Sequence, residues 1–121
     1  MISHRIYRLE PWLVRALIPA DQVGSYILYR ASAPIYVGRS DTDLRRRLLQ
    51  HAAAGTGEYF RYDVHPSPSH AFWAECSLYH AIDGPLTNHI HPDAPDYLDI
   101  ECAFCSTNLH DVLDNRLVAN L

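Results

Sequence analysis

The hydrophobic and polar positions along the chain change period several times, and each change indicates a new element. A helix is predicted between Pro11, which suits a first helical turn, and Pro19, which ends it, because apolar residues between them recur at helical spacing: Trp12, Leu13, Ala16 and Leu17. Gly24 precedes the alternating stretch SYILYR, and the turn ASAP leads into IYVG. These two stretches predict strands, and their short connection predicts a hairpin.

Helical and strand-like patterns alternate in the next part of the chain. The segment RSDTD supplies N-caps for a helix over residues 44–54, whose apolar residues share one side: Leu44, Leu48, Leu49 and Ala52. Residues 58–64, EYFRYDV, favour a third strand. Ser69 is expected to cap a second long helix over residues 70–82, which a turn signal stops: Asp83, Gly84 and Pro85.

The tail predicts a strand over residues 97–105 and a helix over residues 108–121. The resulting element order is strand, strand, helix, strand, helix, strand, helix. It indicates an α/β (α+β) fold in which helices flank a small central mixed or antiparallel sheet. At 121 residues the chain is long enough for one such domain, residues 1–121, and too short for two independent cores.

The charge of the chain is unevenly distributed. Residues 1–62 hold nine of the ten arginines against five acids, which gives +4, and residues 63–121 hold Arg116 against nine acids, which gives −8; the sum is the net charge of −4. Lysine is absent, so every side-chain cation other than histidine is a guanidinium that can grip a phosphate or carboxylate bidentately. A coding bias toward arginine explains the same observation equally well.

Targeting signals and cysteines bear on the compartment. No stretch approaches the roughly 18 apolar residues of a membrane span, and the start, MISHRIYRLE, contains no apolar signal-peptide core. The cysteine count of three is odd and sparse, which fits a reducing compartment better than a disulfide framework. The sequence therefore predicts a cytoplasmic protein that does not insert into a membrane.

Glu75 occupies an unusual place for a carboxylate. The residues three, four and seven positions away on its predicted helix are all apolar or aromatic: Ala71, Phe72, Leu78, Tyr79 and Ile82. An acid on such a face costs several kcal/mol unless it is paired or bound to a cation. Two explanations are equally open at this point, a structural pair with an arginine and a functional carboxylate that holds a hard divalent cation.

Arg47 and His51 are one helical turn apart and share a face of the predicted helix. A guanidinium beside an imidazole has little structural purpose without an acid, and an anion between them reconciles the pair. Arg45 and Arg46 are expected on the solvated part of the same helix. The arrangement indicates an anion site rather than a purely structural surface.

Two triplets stand ten residues apart in the predicted hairpin, Gly24-Ser25-Tyr26 and Tyr36-Val37-Gly38. Alone, their tyrosines are ordinary strand residues. Together with later features they resemble the two triplets of the GIY-YIG nuclease family. The later features follow in the family's order: Arg47, His51, Glu75 and the motif Pro85-Leu86-Thr87-Asn88.

The resemblance spans residues 23–90. It leaves residues 1–22 as an N-terminal helical extension and residues 91–121 as a C-terminal extension with a strand and a helix. Ser25 departs from the family by replacing an aliphatic residue, and the RSDTD linker is one residue longer than usual. The longer linker leaves a choice between Arg46 and Arg47 for the family's arginine; Arg47 is preferred, because it lies three residues after one helix leucine and four before the histidine.

The resemblance implies a divalent-metal-dependent phosphodiesterase that acts on nucleic acid, with DNA favoured. Glu75 would hold one Mg²⁺ or Mn²⁺ ion, and Arg47 would stabilise charge on the phosphate oxygens. The implied catalytic set, within which the sharing of proton transfer stays open, is Tyr26, Tyr36, Arg47, His51, Glu75 and Asn88. Three further arginines are expected to contact nucleic acid: Arg39, Arg45 and Arg46.

Two alternatives remain. A binding module with the same fold but without cleavage is favoured by the net charge of −4, since proteins that hold long nucleic acids usually carry a broad basic surface. An acidic nuclease would depend on a local patch, a partner protein or homodimerisation. A structural zinc site can also be drawn from Cys102 and Cys105 with His89 and His91, but a single C-x-x-C at a predicted strand end is weak, so zinc is not expected there.

Overall fold

The structure, a computed structural model, describes residues 5–82, 92–95 and 97–102. The chain forms, in order, the following strands and helices over these residues: β1 (Tyr7–Arg8), α1 (Pro11–Leu17), β2 (Gly24–Arg30), β3 (Ala33–Ser40), α2 (Leu44–Ala54), β4 (Tyr59–Val64) and α3 (Pro68–Ala81). None of the helices in these ranges is long and apolar enough to cross a membrane.

The four strands form one antiparallel sheet in the order β1-β4-β2-β3. The predicted hairpin pairs β2 with β3, so that Tyr26 lies opposite Gly38 and Leu28 lies opposite Tyr36. Strand β4 pairs with the other side of β2 and places Tyr62 opposite Tyr26. The predicted α+β class is confirmed, and the sheet is purely antiparallel within the described residues.

The helices cover the two faces of the sheet unequally. Helices α1 and α2 cover one face, where the largest cluster of buried apolar side chains lies: Leu9, Val14, Ile18, Tyr26, Leu28, Leu44, Leu48 and Phe60. Helix α3 covers the other face; its Leu78 and Tyr79, together with the C-cap residue Ile82, pack against a smaller cluster: Ile27, Tyr29 and Val37. Strand β2 is therefore buried on both faces and carries the core of both layers.

Local signals account for where the helices begin and end. The Asp43 carboxylate accepts from the Arg46 N–H at the start of α2, and Gly55 closes that helix with a φ of 67°, which favours glycine. Pro11 opens α1, and the helix ends just before Pro19. Helix α3 starts earlier than predicted, because Ser67 rather than Ser69 is its N-cap and Pro68 occupies the first turn.

One strand of the structure was not predicted, and two further predictions differ from the structure. The two-residue strand β1 was not predicted, because so short a segment has no periodicity of its own. On α1, Trp12 is 67% exposed and Val14 is fully buried, so the inward face is rotated from the predicted one. No strand forms over residues 97–102, where the predicted 97–105 strand begins. Residues 103–105 and the predicted 108–121 helix lie outside the described residues.

The tip of the β2–β3 hairpin carries two consecutive left-handed residues. Ala31 has a φ of 51° and Ser32 a φ of 68°. A two-residue hairpin turn of this kind matches the twist of the strands, and asparagine followed by glycine adopts it with least strain. Alanine and serine have a Cβ that this conformation crowds, so the turn stores backbone strain.

Replacing the two turn residues should therefore stabilise the fold. We expect Ala31→Asn combined with Ser32→Gly to raise the free energy of unfolding by about 1 kcal/mol, measured by urea denaturation. Ala33→Gly is the matched control, since Ala33 begins a strand and a glycine there should lower stability by about 0.5–1 kcal/mol. If the double turn variant and Ala33→Gly changed the free energy of unfolding equally, relief of turn strain would not be the cause of the change.

Candidate active site

The missing side chain of Gly38 creates the centre of the candidate site. A Cβ at this position would lie 2.5 Å from Cζ of Tyr26 and 2.9 Å from Cε1 of Tyr36. Both distances are shorter than a carbon contact permits. The two tyrosine rings can therefore lie against the backbone of β3 only because residue 38 is glycine.

Three aromatic side chains gather next to Gly38. The rings of Tyr26 and Tyr36 stack with centroids 6.1 Å apart, and His51 meets both rings edge-on, at 5.3 Å and 4.9 Å. The Tyr26 hydroxyl is hydrogen-bonded to Nε2 of His51 at 2.7 Å, inside the protein. The three predicted residues form one contact group although they come from two strands and a helix.

Arg47 completes this group on its solvent side. Its Nη2 donates to the Tyr36 hydroxyl at 3.5 Å, and its Nη1 donates to Oε1 of Gln50 at 3.4 Å. The Arg46 side chain is exposed, and the backbone N–H of Arg46 donates to the carboxylate of Asp43, the N-cap of α2. Of the two arginines that the sequence left as alternatives, Arg47 is the one that the fold brings to the tyrosines.

Burial determines the protonation states of the hydrogen-bonded side chains of Tyr26 and His51. Burial, followed by the charge of Arg47, lowers the pKa of His51 to about 4, so the imidazole is neutral at neutral pH. Burial is also the main cause of the raised pKa of Tyr26; Tyr36 raises it further, and Arg47 acts in the opposite direction. A neutral phenol and a neutral imidazole thus share this hydrogen bond, and the guanidinium of Arg47 supplies the positive charge of the group.

Glu75 lies on the other face of the sheet and has an arginine partner. Oε1 of Glu75 accepts from Nη1 of Arg39 at 2.6 Å, and Nε of Arg39 donates to Oδ1 of Asp41 at 2.8 Å. The Arg39 side chain is only 12% exposed, and its guanidinium lies 5.1 Å from the centre of the Phe72 ring. Arg39 was predicted to contact nucleic acid; in the structure it is engaged with two carboxylates.

The charge of Glu75 is only partly compensated. Burial raises the pKa of its carboxyl to about 7, Arg39 works against this rise, and the carboxylates of Asp41 and Asp93 add to it. Burial by itself would lower the pKa of Arg39. The contacts with the carboxylates of Asp41 and Glu75 outweigh burial, so the pKa of Arg39 is raised. Arg39 therefore stays charged, while Glu75 changes protonation near neutral pH.

Strand alternation relates the two halves of the site. Gly38 and Arg39 are consecutive in β3, so they face opposite sides of the sheet. Gly38 accommodates the tyrosines on the α2 side, and Arg39 reaches Glu75 on the α3 side. The charge of Glu75 makes the smallest contribution to the raised pKa of Tyr26, after burial, Tyr36 and Arg47, so the electrostatic coupling between the two halves around edge strand β3 is weak.

Several residues of the predicted catalytic and zinc sites fall outside the described residues. These are Asn88 of the implied catalytic set and the zinc candidates His89, His91 and Cys105. Within residues 5–82, 92–95 and 97–102, no three histidine, cysteine or acidic side chains are arranged to hold a metal ion. Magnesium is often bound by one or two carboxylates together with substrate phosphates, so Glu75, with Asp41 close by, fits such an ion in the presence of substrate.

A hydrogen bond that sequence reasoning missed explains the unusual serine of the first triplet. Ser25 is 1% exposed, and its hydroxyl is hydrogen-bonded to Nε2 of His65 at 2.7 Å. The backbone N–H of His65 also donates to the Val23 carbonyl, which holds the end of β4 against β2. The partners are 40 residues apart, so no local pattern pointed to them.

Comparison of the chain with protein-family models found no match, and neither curated proteins nor solved structures contain a significant match.

The contacts of Arg39 predict a stability test of the buried ion pair. We expect Arg39→Met to lower the free energy of unfolding by about 3 kcal/mol, because it leaves the Glu75 carboxylate buried without a partner. The loss should shrink from about pH 8 to about pH 6, since Glu75 has a raised pKa and takes up a proton as the pH falls.

Two further variants serve as controls for this test. Combining Arg39→Met with Glu75→Met should recover more than half of the loss, because neither charge then remains buried. Asp41→Asn preserves the contact between Arg39 and Glu75, and Asp41 is partly exposed, so it should cost less than about 1 kcal/mol. A double variant as unstable as the single one would contradict the pairing.

Proposed function

We propose that the chain is a metal-dependent endonuclease that hydrolyses phosphodiester bonds in nucleic acid, with DNA favoured. One observation carries the proposal: Tyr26, Tyr36, Arg47 and His51 form one contact group around Gly38. Tyrosine hydroxyls and an imidazole beside an exposed guanidinium combine groups that can move or position a proton with an anion site. These are the groups that phosphodiester hydrolysis requires, and the GIY-YIG resemblance implies the same reaction.

Arg47 is the proposed contact to the scissile phosphate. It is exposed and lies on a helix that also presents Arg45 and Arg46. Its guanidinium can donate two hydrogen bonds to phosphate oxygens and stabilise the negative charge that grows on them during attack by water. Because the chain carries a net charge of −4, this local patch, a partner protein or a second copy has to supply the affinity for a polyanion.

Burial suggests how the aromatic residues divide the proton chemistry. Tyr26 is fully buried, so its hydroxyl positions His51 rather than touching the attacking water. Tyr36 is half-buried and lies beside Arg47, within reach of a phosphate bound there. Tyr36 is therefore the proposed residue that contacts the attacking water: its oxygen accepts the proton of the water as the phenol releases its own proton to solvent, and the neutral His51 ring lies beside it.

Glu75 is the proposed ligand of one Mg²⁺ or Mn²⁺ ion. Such an ion polarises the phosphoryl group and offsets the charge of the departing oxygen. Arg39 and Asp41 hold the carboxylate in place on α3. Since Glu75 must be ionised to bind a cation and burial raises its pKa to about 7, cleavage should increase as the pH rises through that value.

Residues that act directly should be essential for cleavage, and distant ones of the same type should not. With Mg²⁺ or Mn²⁺ and supercoiled plasmid, we expect Glu75→Gln and Arg47→Ala each to lower the nicking rate by at least about 100-fold, because each removes a charge that stabilises the transition state. The matched controls Glu10→Gln and Arg15→Ala, both on or beside α1, should keep the rate within about twofold.

The same assay separates the proposed function from the second candidate. Equal nicking by the wild type and by both site variants would overturn the assignment. If the wild type cleaves the plasmid and the site variants do not, a panel of labelled duplex, branched and single-stranded DNA and RNA would identify the preferred substrate.

A non-cleaving nucleic-acid-binding module is the second candidate function. The observation that favours it is the ion pair with Arg39, which already occupies the Glu75 carboxylate. Binding of labelled DNA by the wild type without metal-dependent cleavage would support this reading. Cleavage that depends on Glu75 would exclude it.

The different burial of the two tyrosines predicts unequal effects on turnover. We expect Tyr36→Phe to lower kcat by about 100-fold or more, because it removes a group that handles the proton directly. Tyr26→Phe should lower kcat by about tenfold, since its hydroxyl acts through His51. Tyr59→Phe, an exposed tyrosine of β4, is the control and should leave kcat unchanged. A larger loss for Tyr26→Phe than for Tyr36→Phe would reverse the proposed roles.

A further inference from the structure

The face of the sheet on which α3 lies is open beside β1 and β4. Helix α3 packs mainly against β2 and β3, and β4 and β1 lie beyond β2 in the strand order. An open cavity of about 210 Å³ lies on this part of the face, and its described lining residues are Ile6, Tyr29, Ser32 and Tyr59. Ile6 is 47% exposed and Tyr59 is 37% exposed, so apolar side chains remain accessible there.

A row of side chains crosses three neighbouring strands on this face. Arg8 of β1 lies opposite Tyr59 of β4, and Tyr59 lies opposite Tyr29 of β2. Residues directly opposite each other in a sheet point to the same side, and Tyr29 belongs to the cluster beneath α3. Arg61 follows Tyr59 by two residues, and its Cζ lies 5.5 Å from the centre of the Tyr29 ring. Two guanidinium groups therefore flank the exposed tyrosine.

The two arginines of this row carry charge that no neighbouring acid neutralises. Among the described residues, Nε of Arg61 is the one buried side-chain nitrogen or oxygen without a hydrogen-bond partner. Neither Arg8 nor Arg61 forms an ion pair with a carboxylate of the described residues. The carboxylate of Glu58, next to Tyr59, accepts instead from the N–H of Ala31 at the hairpin tip. Both guanidinium groups can thus pair with an anion from solution.

Exposed rings between guanidinium groups suit one class of ligand, a single strand of nucleic acid. Each base of a single strand has a free face that can stack on a tyrosine ring, and arginines contact the phosphates beside it. A duplex keeps its bases stacked on one another and offers no such face. The cavity of about 210 Å³ is smaller than the roughly 300–1,000 Å³ of a pocket for a drug-sized molecule, so its size suits one ring system.

We propose that this surface binds a single strand of DNA or RNA. The surface, called the β1–β4 platform, consists of Ile6, Arg8, Tyr29, Tyr59 and Arg61. One base stacks on Tyr59 at the cavity, and Arg8 and Arg61 contact the phosphates on either side of that base. The platform lies on the opposite face of the sheet from the tyrosines around Gly38, so it is a second site. The inference does not depend on the proposed function, because it requires no cleavage.

Binding of labelled oligonucleotides in the presence of a metal chelator tests the platform without cleavage. By fluorescence anisotropy, the full chain should bind an oligothymidine at least about tenfold more tightly than the same strand annealed to its complement. Tyr59→Ala should weaken binding of the single strand about tenfold, whereas Tyr59→Phe should keep it within about twofold, because phenylalanine also stacks on a base. The same titration with oligouridine identifies whether the platform prefers DNA or RNA.

Salt dependence tests the two arginines separately from the aromatic residue. Arg8→Ala and Arg61→Ala should each reduce the slope of log K against log salt concentration by about 0.7, the change expected for one lost phosphate contact on a single strand. The matched controls are Trp12→Ala and Arg15→Ala, an exposed aromatic residue and an exposed arginine on α1, and both should keep the affinity within about twofold.

A photochemical cross-link on the unaltered chain protects the test against variants that fail to fold. Ultraviolet irradiation of the chain with an oligothymidine that contains 4-thiothymidine should attach a nucleotide to Tyr59, found by mass spectrometry in the tryptic peptide of residues 48–61. Cross-links confined to Tyr36 and its neighbours would overturn the proposal. So would equal binding of single strand and duplex, unchanged binding by Tyr59→Ala, or competition by thymidine monophosphate as strong as that by the oligomer.

Discussion

The close approach of Tyr26 to the backbone of Gly38 determines how β2, β3 and α2 fit together. Tyr26 is fully buried in the central strand, and its ring fills the space where a side chain of β3 would otherwise lie. That position lets its hydroxyl meet His51 on α2 and lets Tyr36 stack on it from the neighbouring strand. A side chain at residue 38 would separate the strands or expel a tyrosine, so one missing Cβ maintains both the packing and the aromatic group.

The buried polar residues of the described chain join distant parts of the fold through hydrogen bonds, whereas one buried side-chain nitrogen, Nε of Arg61, has no hydrogen-bond partner. The three buried polar residues of the described chain are Ser25, His51 and Glu75, and their partners are His65, Tyr26 and Arg39. Every pair joins elements that are distant in sequence. An unpartnered buried polar group costs free energy, so these pairs restrict how the layers can shift and keep the side chains of the candidate site in defined positions.

The contacts of the arginines show where a chain with an acidic net charge carries a local positive charge. Two of the arginines have different surroundings: Arg39 forms ion pairs with Glu75 and Asp41, whereas Arg47 lies beside Tyr36 and is exposed. A phosphate that approaches α2 therefore meets a local positive charge on a chain that is negative as a whole. Recognition of nucleic acid by such a chain would depend on geometry at a few residues more than on long-range attraction.

The sequence by itself determined most of the local structure, because the signals are local. Periodicity predicted the hairpin, α2 and α3, Asp43 was among the predicted N-caps of α2, and a spacing of one helical turn placed Arg47 and His51 together. Tertiary structure alone decided which face of α1 is buried, that Arg39 pairs with Glu75 and that His65 supports Ser25. Those outcomes depend on contacts between residues far apart in the chain, which a repeating pattern within one element does not encode.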